Sequence, residues 1–309
     1  VEYVTLGRTG LEASVAGLGC GGHSRLGKRY GASDADAERV VRAALDLGIN
    51  FIDTARGYGT EAAVGSAIRG RRDAVIVSTK SHVDPEAGVK GLRDNLEKSL
   101  EALRTDYVDI FHLHGLRPSQ YDYCAAELVP AMKRFQQEGK VRFIGATELF
   151  GRDTGHEMLE RAVPDGHFDV IMVGFNLLNH SARARVFRHT VAHDIGTLIM
   201  FAVRRALSRD DALKELIDDL LESGELDAAN VNTSAPMEFV TRHPEVHSLV
   251  EAAYRFCRHE PGAHVILTGT GKVEHLEENV RAILAPQLPR EIVDELSRRF
   301  GHLDCVSGN

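Results

Sequence analysis

No tryptophan occurs among the 309 residues, and cysteine is confined to Cys20, Cys124, Cys257 and Cys305. The four thiols lie far apart, without the paired spacing of a metal site or the density of a disulfide framework. A reducing cytoplasm is the compartment they fit. Basic residues are in the minority: 37 Lys and Arg stand against 45 Asp and Glu, a net charge of -8. That balance argues against a nucleic-acid surface or an anionic membrane as partner. No apolar run approaches the ~18 residues that could span a bilayer. Residues 1–5 also lack the basic-then-apolar start of a secretory signal. Low-complexity tracts and linker-like stretches are missing too, so one domain over residues 1–309 is expected. No histidine pairs at a metal-like spacing, so no metal is expected. No Gly-x-Gly-x-x-Gly follows a strand, which excludes a Rossmann unit.

What is present is an ordinary globular composition, 43% hydrophobic and 27% charged, arranged as alternating strands and helices. Residues 3–7 and 11–15 are apolar segments about a Gly-bearing turn and read as an N-terminal β-hairpin. Eight short apolar runs follow, at 15–20, 50–53, 74–79, 107–111, 141–145, 168–173, 197–202 and 264–267. Between them lie helical patterns: Ser33 can cap a helix burying Val40, Val41, Ala44 and Leu45, and Gly48 stops it. Leu92, Leu96, Leu100 and Leu103 recur at helical spacing. Alternation of this kind implies parallel pairing, and eight units suit a closed (β/α)8 TIM barrel. Spacing is even except between strands 7 and 8. There a helix near 210–221 and an irregular stretch at 225–244 read as an inserted loop region at the catalytic mouth.

In such a barrel the C-terminal strand ends carry the chemistry. Asp53, Lys80 and His114 stand at three consecutive strand ends, and Tyr58 lies five residues beyond Asp53. A phenol is a poor acid near neutrality, its ordinary pKa being ~10. An ammonium beside it favours the phenolate, a carboxylate holds the ammonium, and an imidazole can orient a carbonyl oxygen. His112 shares a strand face with His114 but would lie one layer deeper, as a hydrogen-bonded interior residue.

The order Asp53-Thr54-Ala55-Arg56-Gly57-Tyr58-Gly59, Glu61, Lys80, His112 and His114, Gly145-Ala146-Thr147, and Gly269 through Asn279 resembles the aldo-keto reductase superfamily over essentially the whole chain. The resemblance implies NAD(P)H-dependent reduction of an aldehyde or ketone, with Tyr58 as general acid, Lys80 and Asp53 tuning it and His114 positioning substrate. It also implies a cofactor site. Gly269, Thr270, Gly271 and Lys272 lead into a helix whose N-terminus suits phosphate, Thr270 and Lys272 being available to an adenosine 2′-phosphate, so that NADP(H) is favoured over NAD(H). Glu278 and Asn279 match adenine contacts, Phe201 a ring stacked on the nicotinamide, and Arg204 a pyrophosphate ligand; Gly22 and Ala202 complete the set. Thr147, Glu148 and Met172 stand where the family fixes the carboxamide with Ser, Asn and Gln. Thr147 can serve and Glu148 can accept from the amide, but Met172 makes no strong hydrogen bond.

Three other readings remain open. The same site could oxidise a sugar hydroxyl or lactol, which the polar loop at 23–30, Arg117 and the lack of Trp suit. Lys80 could form a Schiff base. The barrel could bind NADP without turnover. The expected partner is a small carbonyl or polyol.

Overall fold

The computed structural model describes residues 1–309. Strands β1 (Tyr3–Thr5) and β2 (Glu12–Ser14) pair antiparallel, Tyr3 opposite Ser14, as the N-terminal hairpin. Strands β3 (Ala16–Gly19), β4 (Phe51–Asp53), β5 (Ile76–His82), β6 (Val108–Leu116), β7 (Val141–Glu148), β8 (Val170–Gly174), β9 (Gly196–Met200) and β10 (Val265–Thr268) close into a parallel barrel in chain order, β10 returning to β3. Each expected strand is there. Three run well beyond the expected ends: β5 continues past Lys80 to His82, β6 past His114 to Leu116, where its register with β7 shifts, and β7 past Gly145 to Glu148.

The helices form for the reasons their sequences give. Ser33 accepts from the Asp36 amide and Asp36 answers at the Ser33 amide, a capping box that opens the Asp34–Asp46 helix. Leu92, Leu96, Leu100 and Leu103 are all buried on one side of Gly88–Leu103. The region between β9 and β10 holds the expected helix, at Asp210–Glu222, and adds helices at Arg205–Ser208, Glu238–Thr241 and Leu249–Arg258, with irregular backbone between them.

Inside the barrel, side chains alternate inward by the two-residue strand period, and the two ends differ in kind. At the N-terminal end Phe51, Ile76, Ile110, Val170, Met172, Leu198 and Val265 make an apolar cluster. The hairpin plugs it with Leu6, Leu11 and Ala13. Gly7 must be glycine there: its φ is 48° and a Cβ would sit 2.4 Å from the Gly196 nitrogen. Arg8 ties the plug down, its guanidinium donating to Asp169 at 3.2 Å and to the Phe168 carbonyl at 2.8 Å. Two residues further along each strand the same inward face turns polar.

Candidate active site

The inward period carries Asp53 on β4, Ser78 and Lys80 on β5, and His112 and His114 on β6 into the upper half of the barrel. Lys80 is fully buried and donates to Asp53 Oδ2 at 2.6 Å and to the Thr54 carbonyl at 2.7 Å. Ser78 donates to the other oxygen of Asp53 at 2.8 Å. Burial opposes the charge on Lys80, but Asp53 and Tyr58 outweigh it and hold the ammonium above the ordinary lysine range. A protonated, doubly hydrogen-bonded amine is a poor nucleophile, which weighs against the Schiff-base reading.

Tyr58 closes the set from the loop after β4. Its hydroxyl lies 3.2 Å from His114 Nε2, the two rings meeting edge to face, and Lys80 Nζ stands 5.0 Å from the centre of the Tyr58 ring. The phenol does not sit low, as an ammonium neighbour alone implies. Burial pushes its pKa up and Lys80 only partly offsets this, so the hydroxyl keeps its proton at neutral pH. Gly21 makes the room, since a Cβ there would meet the Tyr58 ring at 2.3 Å. His114 is held neutral, its pKa pulled down to about 2 by burial first and then by Lys80 and its histidine neighbours.

His112 lies one layer deeper, as its spacing implies, with the Ala146 backbone as its one weak hydrogen-bond partner and no other for either ring nitrogen. Gly145 leaves it space, for a Cβ would sit 2.3 Å from Nδ1. Two neighbours escaped the reading of the sequence. Ser78 grips Asp53, and His82 stacks on His114 with ring centres 4.2 Å apart and planes 12° from parallel. Both stand two residues from Lys80 on β5, so the strand period was signal enough to find them.

The cofactor-side residues are more scattered. Thr147 faces inward and accepts from the Gly115 amide at 2.7 Å. Glu148, one residue on, faces outward. Its carboxylate is fully buried against His156 Nδ1, at 2.9 Å, and accepts from the Gly174 amide at 2.7 Å. Glu148 is therefore not offered to a ligand in the barrel, and the carboxamide contact expected of it is withdrawn. Met172 belongs to the apolar lower cluster. Phe201, at φ 66°, packs edge to face on Phe150, and the Arg204 guanidinium covers its ring at 4.0 Å. Ala202 is buried in the core. Gly22 is exposed at φ 64°, beside Arg204.

On the far side Lys272 caps the Val273–Ile283 helix and its amide donates to Thr270 Oγ1 at 3.1 Å. Lys272 and Glu278 are exposed, while the Asn279 amide nitrogen donates to Thr268 at 2.9 Å and leaves its oxygen free. Gly269 and Gly271 both lie against backbone. A Cβ on Gly271 would meet Gly27 Cα at 2.5 Å, which fastens the loop after β3 to the loop after β10. That first loop is itself bent: Arg25 and Leu26 have φ of 48° and 57°. The left-handed region costs roughly 1–2 kcal/mol per such residue, here offset by the complete burial of Leu26. A bare glycine cradle, a free helix N-terminus, Arg204 and Lys272 make a chemically suitable seat for a dinucleotide.

Comparison with known proteins agrees with this fold. The model of the aldo/keto reductase family matches residues 18–298. L-galactose dehydrogenase of Arabidopsis thaliana is 30% identical over 92% of this chain and 88% of its own. An aldo-keto reductase of Bacillus subtilis is 30% identical over 90% of this chain and 87% of its own. Among solved structures, an aldo-keto reductase of Bacillus halodurans superposes with a TM-score of 0.74 at 23% identity, covering 96% of this chain and 95% of its own. One from Klebsiella pneumoniae, in complex with NADP and acetate, gives 0.65 at 25% identity over 96% of this chain and 95% of its own.

Proposed function

The chain belongs to the aldo/keto reductase family and is an NAD(P)-dependent oxidoreductase; from that premise we propose that it reduces an aldehyde or ketone, with Tyr58 as general acid. The observation that carries the reading is the Tyr58 hydroxyl, still protonated, 3.2 Å from a neutral His114 Nε2 and in front of the Lys80 ammonium.

A reduced nicotinamide, when bound, supplies hydride to the carbonyl carbon. The chain's part is the oxygen. His114 Nε2 and the Tyr58 hydroxyl converge on one point, where a carbonyl oxygen can accept from both. As negative charge develops there, Tyr58 passes its proton to it, and the proton is replaced from solvent. Lys80 stabilises the phenolate left behind, and Asp53, fixed by Ser78, keeps Lys80 in place and charged. Lys272, Thr270 and the amides opening the Val273–Ile283 helix would hold a 2′-phosphate. Arg204 would hold the pyrophosphate, Phe201 and Thr147 the nicotinamide end, and Glu278 with the Asn279 oxygen the adenine. On these groups rests a preference for NADP(H) over NAD(H).

Steady-state turnover of a carbonyl panel with NADPH tests the proposal. Tyr58→Phe should be slower by about 10²–10⁴-fold in kcat; equal rates for variant and wild type would refute it. One observation favours the reverse direction as a second reading: a relative at 30% identity is named for the oxidation of a sugar. Comparing NADP⁺-driven turnover of free sugars with NADPH-driven reduction of aromatic aldehydes separates the two.

A further inference from the structure

A cavity of about 390 Å³ opens directly onto Tyr58, and of its five lining residues three are cations: Arg25, Lys28 and Arg29, with Tyr58 and Gly59 completing the wall. Resting on the carbonyl-reductase reading, the geometry points to an anionic substrate, a carbonyl compound whose carboxylate or phosphate is held by Arg25 and Arg29.

The charges in this cavity are not equivalent. Lys28 is already engaged, donating to Asp34 at 2.5 Å and to the Gly59 carbonyl at 2.8 Å. It is the fastener that lays the loop against Tyr58. The side chains of Arg25 and Arg29 are exposed and make neither an ion pair nor a hydrogen bond. Elsewhere the chain commonly pairs its arginines, as in the two-pronged contacts of Arg93 with Glu138 and Arg183 with Glu260. The carboxylates near the cavity are spoken for: Asp34 by Lys28, Asp53 by Lys80, and Glu61 by Thr79 and Arg56. Two unmatched guanidinium groups thus face a pocket on a protein of net charge -8. A local field of that sign attracts anions, and the planar fork suits carboxylate and phosphate oxygens.

The backbone that carries them is also held in one shape. Arg25, Leu26 and Gly27 follow one another in the left-handed region, at φ of 48°, 57° and 86°. Leu26 is fully buried and Gly27 is pressed on Gly271. A surface loop kept in that shape presents its arginines to one spot. The other source of a bound anion here is the cofactor pyrophosphate. Geometry favours the substrate, because the cavity is walled by Tyr58 and Gly59 and by no residue of the Gly269–Lys272 loop, nor by Arg204.

The test is a comparison of matched aldehydes with NADPH: 4-carboxybenzaldehyde against 4-nitrobenzaldehyde for a carboxylate, and glyceraldehyde 3-phosphate against glyceraldehyde for a phosphate. In wild type, kcat/KM for the charged member of at least one pair should exceed that of the neutral member by about tenfold or more. In the double variant Arg25→Ala, Arg29→Ala that ratio should fall close to one, with Arg25→Lys, Arg29→Lys in between. High salt should shrink the wild-type ratio as well. A wild-type ratio near one in both pairs, or a ratio untouched by the double variant, overturns the proposal. So does a weakened NADPH dissociation constant with the ratio intact, read from nicotinamide fluorescence, since the arginines would then serve the cofactor. Should no aldehyde turn over, it is the reductase reading that fails. Calorimetric titration with benzoate and inorganic phosphate then decides about the pocket: binding lost in the double variant supports it, and equal or absent binding in wild type overturns it.

Discussion

The two ends of the barrel interior are built from the same strands, two residues apart, yet they do opposite work. The lower end is apolar and plugged by the hairpin through Leu6, Leu11 and Ala13. The upper end is a hydrogen-bonded polar group of Asp53, Ser78, Lys80 and His114, reached by Tyr58 from a loop. Below, a side chain matters for the volume it fills; above, for the proton or charge it carries. The lesson is that stability and chemistry are separable along a single strand such as β4, where Phe51 belongs to one end and Asp53 to the other.

Lys80 is where that separation should break, with the largest effect. Lys80→Met removes the charge beside Tyr58 and strands Asp53 in the interior. Turnover should all but vanish, and urea unfolding should show a loss of about 3–5 kcal/mol. Adding Asp53→Asn should restore most of the stability and none of the rate. Phe51→Ala tests the other end. Filling nothing in place of a fully buried ring, it should lower stability by about 3–5 kcal/mol while kcat at low temperature stays within about threefold of wild type.

Acid should be felt at the upper end of the barrel interior, and to a lesser extent at His180 and His264, whose pKa values burial also lowers. His114 stays neutral in the folded protein down to about pH 2, and His112 is likewise held far below the usual histidine range by burial and by Lys80. The unfolded chain takes up those protons below about pH 6.5. Stability is therefore full above that value and falls as pH drops through it, by about 1–2 kcal/mol for each such histidine at pH 5. Chemical denaturation at pH 8 and pH 5 reads the difference. The smallest effect is expected of His82, whose ring only steadies His114 by stacking. His82→Ala should lower kcat about two- to fivefold and leave the melting temperature unchanged.

The same division explains what could be read from the sequence. All eight barrel strands were legible because buried parallel strands are short apolar runs. Their upper ends were not, because Lys80, Ser81 and His82, and His112 to His114, interrupt the apolar pattern where function needs polar groups. The helices between β9 and β10 at Arg205–Ser208 and Glu238–Thr241 are single turns, too short to show a period. Glu148 was misplaced for want of parity: once Thr147 faces the barrel, its neighbour must face away. Ser78 and His82 could have been found by the same rule from Lys80. Arg25 and Arg29 could not, since their convergence on Tyr58 depends on consecutive left-handed residues, and Gly27 is the one glycine among them.

The contact between Gly27 and Gly271 joins the first loop of the barrel to the last, across most of the length of the chain. The catalytic residues follow one half of that clasp in the chain, and the groups suited to a dinucleotide phosphate and adenine sit at and just beyond the other half. The mouth takes its final form only with the closing stave in place, so both ends of the chain share in shaping one surface.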